Sequence, residues 1–180
     1  MLKSLRFKLV LCSLLLIQLC AAQNQFNNCG MGGDPDAAVF YRNLNHDKNR
    51  YNMVTTEDID PGITLSKMLQ TGTDNNRFSL GDAAEIKGYV ILVKAGGEES
   101  CNCGASGADL KDTHIELVLD SAATAKKSRV VVEVTPRVRK IMQDQGVDWS
   151  TTTLKNTYLN KWINVQGWMF FDAQHKGTSA

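Results

Sequence analysis

Three stretches decide the fold: Asp112–Asp120 (DTHIELVLD), Arg129–Arg137 (RVVVEVTPR) and Trp162–His175 (WINVQGWMFFDAQH). Each opens with a run of β-branched or aromatic residues of strand length. In the first, Ile115, Leu117 and Leu119 alternate with His114, Glu116 and Val118, the period-2 pattern of a half-buried strand. In the second, Glu133 interrupts a valine run, on the same face as Val131 and Thr135. Polar side chains at such positions must find partners if buried, so His114, Glu133, Asp172 and His175 stand out.

Working outward, EIKGYVILVK (residues 85–94) predicts an earlier strand. Ile86, Val90 and Leu92 fall on one face, and Gly88 is placed for a bulge or bend. The Gly- and Ser-rich segment after it reads as a loop. Thr135-Pro136 predicts an N-cap and first helical residue, with Val138, Ile141 and Met142 as the apolar stripe and Gly146 as the stop. A polar connection then leads to the last strand. Upstream, residues 23–81 read as a loop-rich segment, with His46 a solvated loop residue. It holds one short helix, capped by Asp60, begun by Pro61, packed through Leu65, Met68 and Leu69, and ended at Gly72.

Residues 1–22 read as a secretory signal peptide. Lys3, Arg6 and Lys8 precede an apolar run too short to span a bilayer, and Cys20-Ala21-Ala22 supplies small residues for cleavage. Lipidation of Cys20 is disfavoured by Leu19, which is not small. The expectation is a protein exported to the periplasm or beyond, with no transmembrane segment once processed. The whole chain carries 20 basic and 19 acidic residues; without the three leader cations it holds 17 against 19, a net of −2. That balance lacks the electrostatic footprint of a nucleic-acid binder.

Processing also leaves three cysteines, Cys29, Cys101 and Cys103. Pairing Cys101 with Cys103 closes a strained ring, so one bridge from Cys29 to either is the structural expectation. A metal or redox role for the CxC pair is the competing one.

The order strand, long loop, strand, strand, helix, strand predicts an all-β, OB-like small barrel over residues 82–176, with one short helix between strands 3 and 4 and the closing fifth strand missing. EIKGYV, ESCNC, DTHIEL, VVVEVTPR and GWMFFDAQH together resemble a family of small exported bacterial proteins with an OB-like fold, mostly uncharacterised. The resemblance covers residues 82–175. It implies a final strand containing Trp-Glu-Ile-His-Pro, close to where this sequence stops at Gly177-Thr178-Ser179-Ala180. On that basis a truncated chain with an open barrel is expected.

If neighbouring strands bring His114, Glu133, Asp172 and His175 together, the set has the groups for acid–base work or divalent metal binding. The competing reading is a structural polar network, with Glu133 paired to Arg137 or Lys87 and Asp172 capping a turn. Trp162, Trp168 and Phe170 alternate on the last strand; a stacking platform would use such a row, and burial in the core is the plainer expectation. No nucleophile elbow, phosphate loop or HExxH helix occurs, and no cofactor is assigned. The leading expectation is a non-catalytic exported module that binds an unknown ligand or envelope component. The alternative is a metal-assisted, nuclease-like hydrolase built on His114, Glu133, Asp172 and His175.

Overall fold

The computed structural model describes residues 26, 28–72 and 76–172. The expected leader, Cys20 and His175 lie outside the described residues. Helix α1 spans Val39–Lys48 and the short α2 spans Leu65–Met68. Strands β1 (Ala83–Ala95), β2 (Thr113–Val118) and β3 (Val130–Val134) follow, then helices α3 (Pro136–Asp144) and α4 (Thr151–Tyr158), and last β4 (Trp162–Trp168). All strand pairs are antiparallel, in the order β3-β2-β1-β4, and the sheet curls into a half-barrel.

The long β1 makes the curl possible. Its first half, Ala83–Tyr89, pairs with β4, and its second half, Tyr89–Ala95, pairs with β2. The register shifts between Val90 and Leu92, so the bulge lies there and not at Gly88 as expected. An extra residue reverses which side chains face inward. Ile86 and Val90 point into the core before the bulge; beyond it Val93 does, while the expected Leu92 turns to the other face opposite Glu116. Gly88 answers a different need. A Cβ there would lie 2.9 Å from Leu117 Cβ and 2.9 Å from Leu65 Cδ2, so its absence lets β2 and α2 close on the sheet.

The core gathers Ile63, Leu65 and Met68 with Ile86, Val90, Val93, Ile115, Leu117, Val134 and Leu154. Ile115 and Leu117 face inward as the alternation predicts; Leu119 lies past the end of β2 and is exposed. The edge residues Val130, Val132, Ile163 and Val165 pack against this core but are only partly buried.

The helices correct the sequence reading in four places. α1 forms where a loop was expected, and His46 lies in its last turn. α2 starts at Leu65 with Thr64 as its cap, because Asp60 spends its carboxylate on a turn to the Gly62 amide. In α3 the Thr135 cap and Pro136 start hold, and Gly146 with Val147 closes the end through bonds to Gln143 and Met142. Yet its buried side chains are Pro136, Arg137 and Arg139, while the apolar stripe Val138, Ile141 and Met142 is only partly buried. Arg139 donates to the carbonyls of Asp109, Lys111 and Trp149 and to Thr113 Oγ1, tying the β1–β2 loop and the start of β2 to the α3–α4 connection. Fourth, the polar connection contains α4, capped by Ser150.

The segment before β1 is tied to the sheet by a Cys29–Cys103 disulfide, which settles the open pairing and leaves Cys101 as a buried thiol. With 74 residues between the ends, the chain-entropy model gives about 4 kcal/mol of stabilisation. Gly88→Ala is expected to lower unfolding free energy by about 1–3 kcal/mol through overpacking. Gly167→Ala, on the paired strand with nothing within 4 Å of its Cβ, should not. Urea denaturation of both variants checks the pair; equal midpoints would refute the packing account.

Candidate functional site

The register that builds the core also builds the site. His114 on β2 lies opposite Glu133 on β3 and Lys94 on β1, all on the face turned away from the core. Asp112 enters β2 fully buried, its carbonyl held by the Gly96 amide at 2.7 Å and its Oδ1 by Asn102 Nδ2 at 2.9 Å. The β1–β2 loop contributes Glu99 just before a single turn of 3-10 helix at Ser100–Asn102.

Onto this face α1 delivers Lys48. Its Nζ contacts Glu99 Oε2, Glu133 Oε2 at 2.9 Å and Asp112 Oδ2 at 3.2 Å. The helix is positioned by polar contacts with the β1–β2 loop. Asn49 Nδ2 donates to the carbonyls of Cys101 and Met31, Asn45 Nδ2 donates to Gly32 O, and Ser100 Oγ donates to Asn45 Oδ1. Gly33 makes the close approach possible: at φ +70° its Cβ position falls 2.2 Å from Ser100 O. Arg137 Nη2 adds bonds to the carbonyls of Cys29 and Gly30.

Three carboxylates thus surround one ammonium. Burial alone would discharge Lys48, but Glu133, Asp112 and Glu99 outweigh it and raise its pKa above the ordinary lysine range. Burial also works against ionised Glu133, yet His114 and Lys48 hold its pKa at about 2. For Asp112 burial wins, and its pKa is raised despite Lys48. His114 lies with Nε2 3.2 Å from Glu133 Oε1 and 3.9 Å from Glu99 Oε1. Its contact with Glu133 raises its pKa more than burial lowers it. Burial, helped by Asp112, pushes the Cys101 thiol up, which keeps it protonated and argues against a redox CxC pair.

Of the four residues expected to converge, His114 and Glu133 do. Asp172 lines the same open groove but is not among the residues whose ligand atoms converge with those of His114 and Glu133. His175 lies outside the described residues. Neither expected partner of Glu133 is used: Arg137 turns to the Cys29 and Gly30 carbonyls, and Lys87 sits exposed opposite Asn164. Lys48, Glu99 and Asp112 escaped the sequence reading, since nothing local marks residues 48 and 133 as neighbours. A second knot lies alongside, with Glu116 held by Arg129 at 2.7 Å and by Lys94 at 3.8 Å.

The aromatic row divides. Trp162 is half exposed beside Tyr89, not buried in the core as expected. Trp168 donates to Asn52 O at 2.8 Å beneath the Arg50 guanidinium, and the Phe170 ring lies 6.0 Å from Lys48 Nζ.

These shifts fix a pH profile. A raised His114 pKa gives stability that is full below its ordinary 6.5 and is lost as pH climbs through the folded value. The depressed Glu133 pKa gives stability that is full above 4.5 and is lost as pH falls through about 2. Raised Asp112 penalises the fold progressively as pH climbs from its ordinary 3.8, and the penalty is complete above its folded value. Stability measured by denaturant in a chelating buffer should therefore be greatest near pH 4.5, where Glu133 contributes fully and Asp112 costs least, and His114→Gln should flatten the limb above pH 6.5. An unchanged limb in that variant would contradict the assignment.

Lys48→Met should cost about 3–5 kcal/mol, because it strands buried carboxylates. Adding Glu99→Gln and Glu133→Gln should recover much of the loss. Thermal unfolding of the single and triple variants checks both. No family model, curated protein or solved structure matches this chain.

Proposed function

We propose that the chain is an exported, OB-like binding module, with the open groove outside β1–β3 as its ligand surface. The observation that carries this reading is Lys48. It occupies one oxygen of each glutamate and faces Asp112, so the acid–base residues are spent on holding the N-terminal segment to the sheet. The described thiol nearest them, Cys101, is buried and kept protonated, so it is no nucleophile.

Several features support the OB-like part. β1 is shared between β2 and β4 across a bulge, helical structure (α3, with the further α4) lies between β3 and β4, and β3 and β4 are the two sheet edges a fifth strand would join. The family resemblance and the leader-like residues 1–22 support export. Among the described residues no helix is long and apolar enough to cross a membrane. The groove is lined by Phe40, Tyr41, Lys94, His114, Trp168 and Phe170, a mix suited to orienting a ligand through rings and a few polar groups. Its ligand is of the envelope, small molecule or component surface. Nucleic acid is disfavoured by the net charge and by the acidic floor.

The metal-assisted hydrolase remains the second reading, favoured by the His114–Glu133 contact and weakened by the position of Asp172. One assay separates them. Purified protein is incubated with activated esters, peptidoglycan fragments and single- and double-stranded DNA, with and without Mn2+ or Zn2+. The binding-module reading expects no turnover above buffer. Turnover abolished by His114→Ala would overturn it.

A further inference from the structure

Lys48 satisfies only half of each glutamate it touches. It takes Oε2 of Glu99 and Oε2 of Glu133, which leaves both Oε1 atoms turned towards His114. The imidazole meets them with Nε2, at 3.9 Å and 3.2 Å, and that nitrogen is buried without a hydrogen bond of acceptable geometry. Glu99, His114 and Glu133 thus offer three ligand atoms within 4.8 Å of one another. Ligand atoms on a tetrahedral ion with bonds of about 2.1 Å lie about 3.4 Å apart. The two sides that meet at His114 Nε2, 3.2 and 3.9 Å, are within about half an ångström of that, and the third side is under 4.8 Å.

Charge gives a second, independent indication. Three carboxyl groups converge on the single Lys48 ammonium, so acidic groups outnumber the cation in a largely buried cluster, where uncompensated charge is costly. Asp112 sharpens the point. It is fully inaccessible to solvent, and its Oδ2 points into the cluster with no hydrogen-bond donor, facing only the Lys48 charge at 3.2 Å. A divalent cation beside Lys48 offsets that excess of acidic groups.

We propose that Glu99 Oε1, His114 Nε2 and Glu133 Oε1 bind a divalent first-row transition-metal ion, with Lys48 as the positioning residue that aims the two carboxylates. One imidazole with two carboxylates suits the Mn2+ to Zn2+ series over Mg2+ or Ca2+, which prefer all-oxygen sets. The three side chains are 14–20% exposed, so an ion reaches them from the groove. Three protein ligands leave at least one coordination position for water or a bound group. Asp172 and Cys101 are not in the ligand set. This site goes beyond the binding-module reading and does not depend on it: a bound ion without turnover satisfies both.

The test uses the full chain with its disulfide intact, stripped with chelator and titrated with Zn2+ by calorimetry at neutral pH. One ion per chain is expected. Glu99→Gln and His114→Gln should each weaken binding at least tenfold, while His46→Ala leaves it unchanged. Co2+ loading supplies a readout that fold stability does not move: the visible absorption of a low-coordinate N/O site, absent in His114→Gln. Near-UV circular dichroism confirms that each variant is folded, and Glu99→Gln, on a loop, serves if His114→Gln is not. Absence of saturable binding by the folded protein would overturn the proposal. So would full retention of the ion in both the Glu99 and His114 variants, or its loss in His46→Ala.

Discussion

The Lys48 ammonium, held between Glu99, Asp112 and Glu133, is the contact on which the arrangement of this molecule rests. It joins three parts distant in sequence: α1, the β1–β2 loop and the β2–β3 face. The need for it follows from how α1 packs. Its buried residue is Asn45, whereas Val39 and Phe40 are 62% and 61% exposed. A helix docked by its polar side gains little from apolar burial, so hydrogen bonds, charge and the Cys29–Cys103 bridge hold it. Buried ion pairs contribute little net stability when compared with apolar packing, but they fix one geometry and are costly to break singly. The cluster therefore specifies where α1 sits more than it stabilises the fold as a whole.

That geometry shapes what the outer face can do. His114 and Glu133 have the chemistry of an acid–base pair, yet their nearest charged neighbour is a lysine that spends their reactivity on attachment. The same lysine leaves two carboxylate oxygens and an imidazole nitrogen converging on one point. Attachment and cation binding are thus properties of a single arrangement. The groove beside it carries exposed rings from α1 and cations from β1 and the β2–β3 turn, and is the surface we propose for a ligand.

Much of the sheet was legible because strand alternation is local. The Ile115 and Leu117 pattern, the valines of β3 and the Thr135-Pro136 start of α3 all express physics acting over a few residues. The bulge after Val90 was not legible: it depends on β1 serving two neighbours at once, and the glycine that drew attention was needed for packing. α1 lacks a side-chain cap and an inward apolar stripe, and α4, though capped by Ser150, is rich in threonine, which weakens its helix signal. His114 and Glu133 were visible as polar residues in apolar strands. Lys48, Glu99 and Asp112 were not, since contacts across 51 and 85 positions leave no trace in spacing. The cysteine choice was equally hidden. Cys103 takes φ +54° to reach Cys29, while Cys101 faces the carboxylate cluster.

The central claim is that the Lys48 cluster fixes α1 to the sheet. Native-state amide hydrogen exchange on the wild type and on Lys48→Met tests it most directly. The account predicts that α1 and the Ser100–Asn102 turn lose protection together in the variant, while the β1–β2 ladder keeps the protection set by global unfolding. Unchanged protection in α1, or an equal loss everywhere, would contradict it.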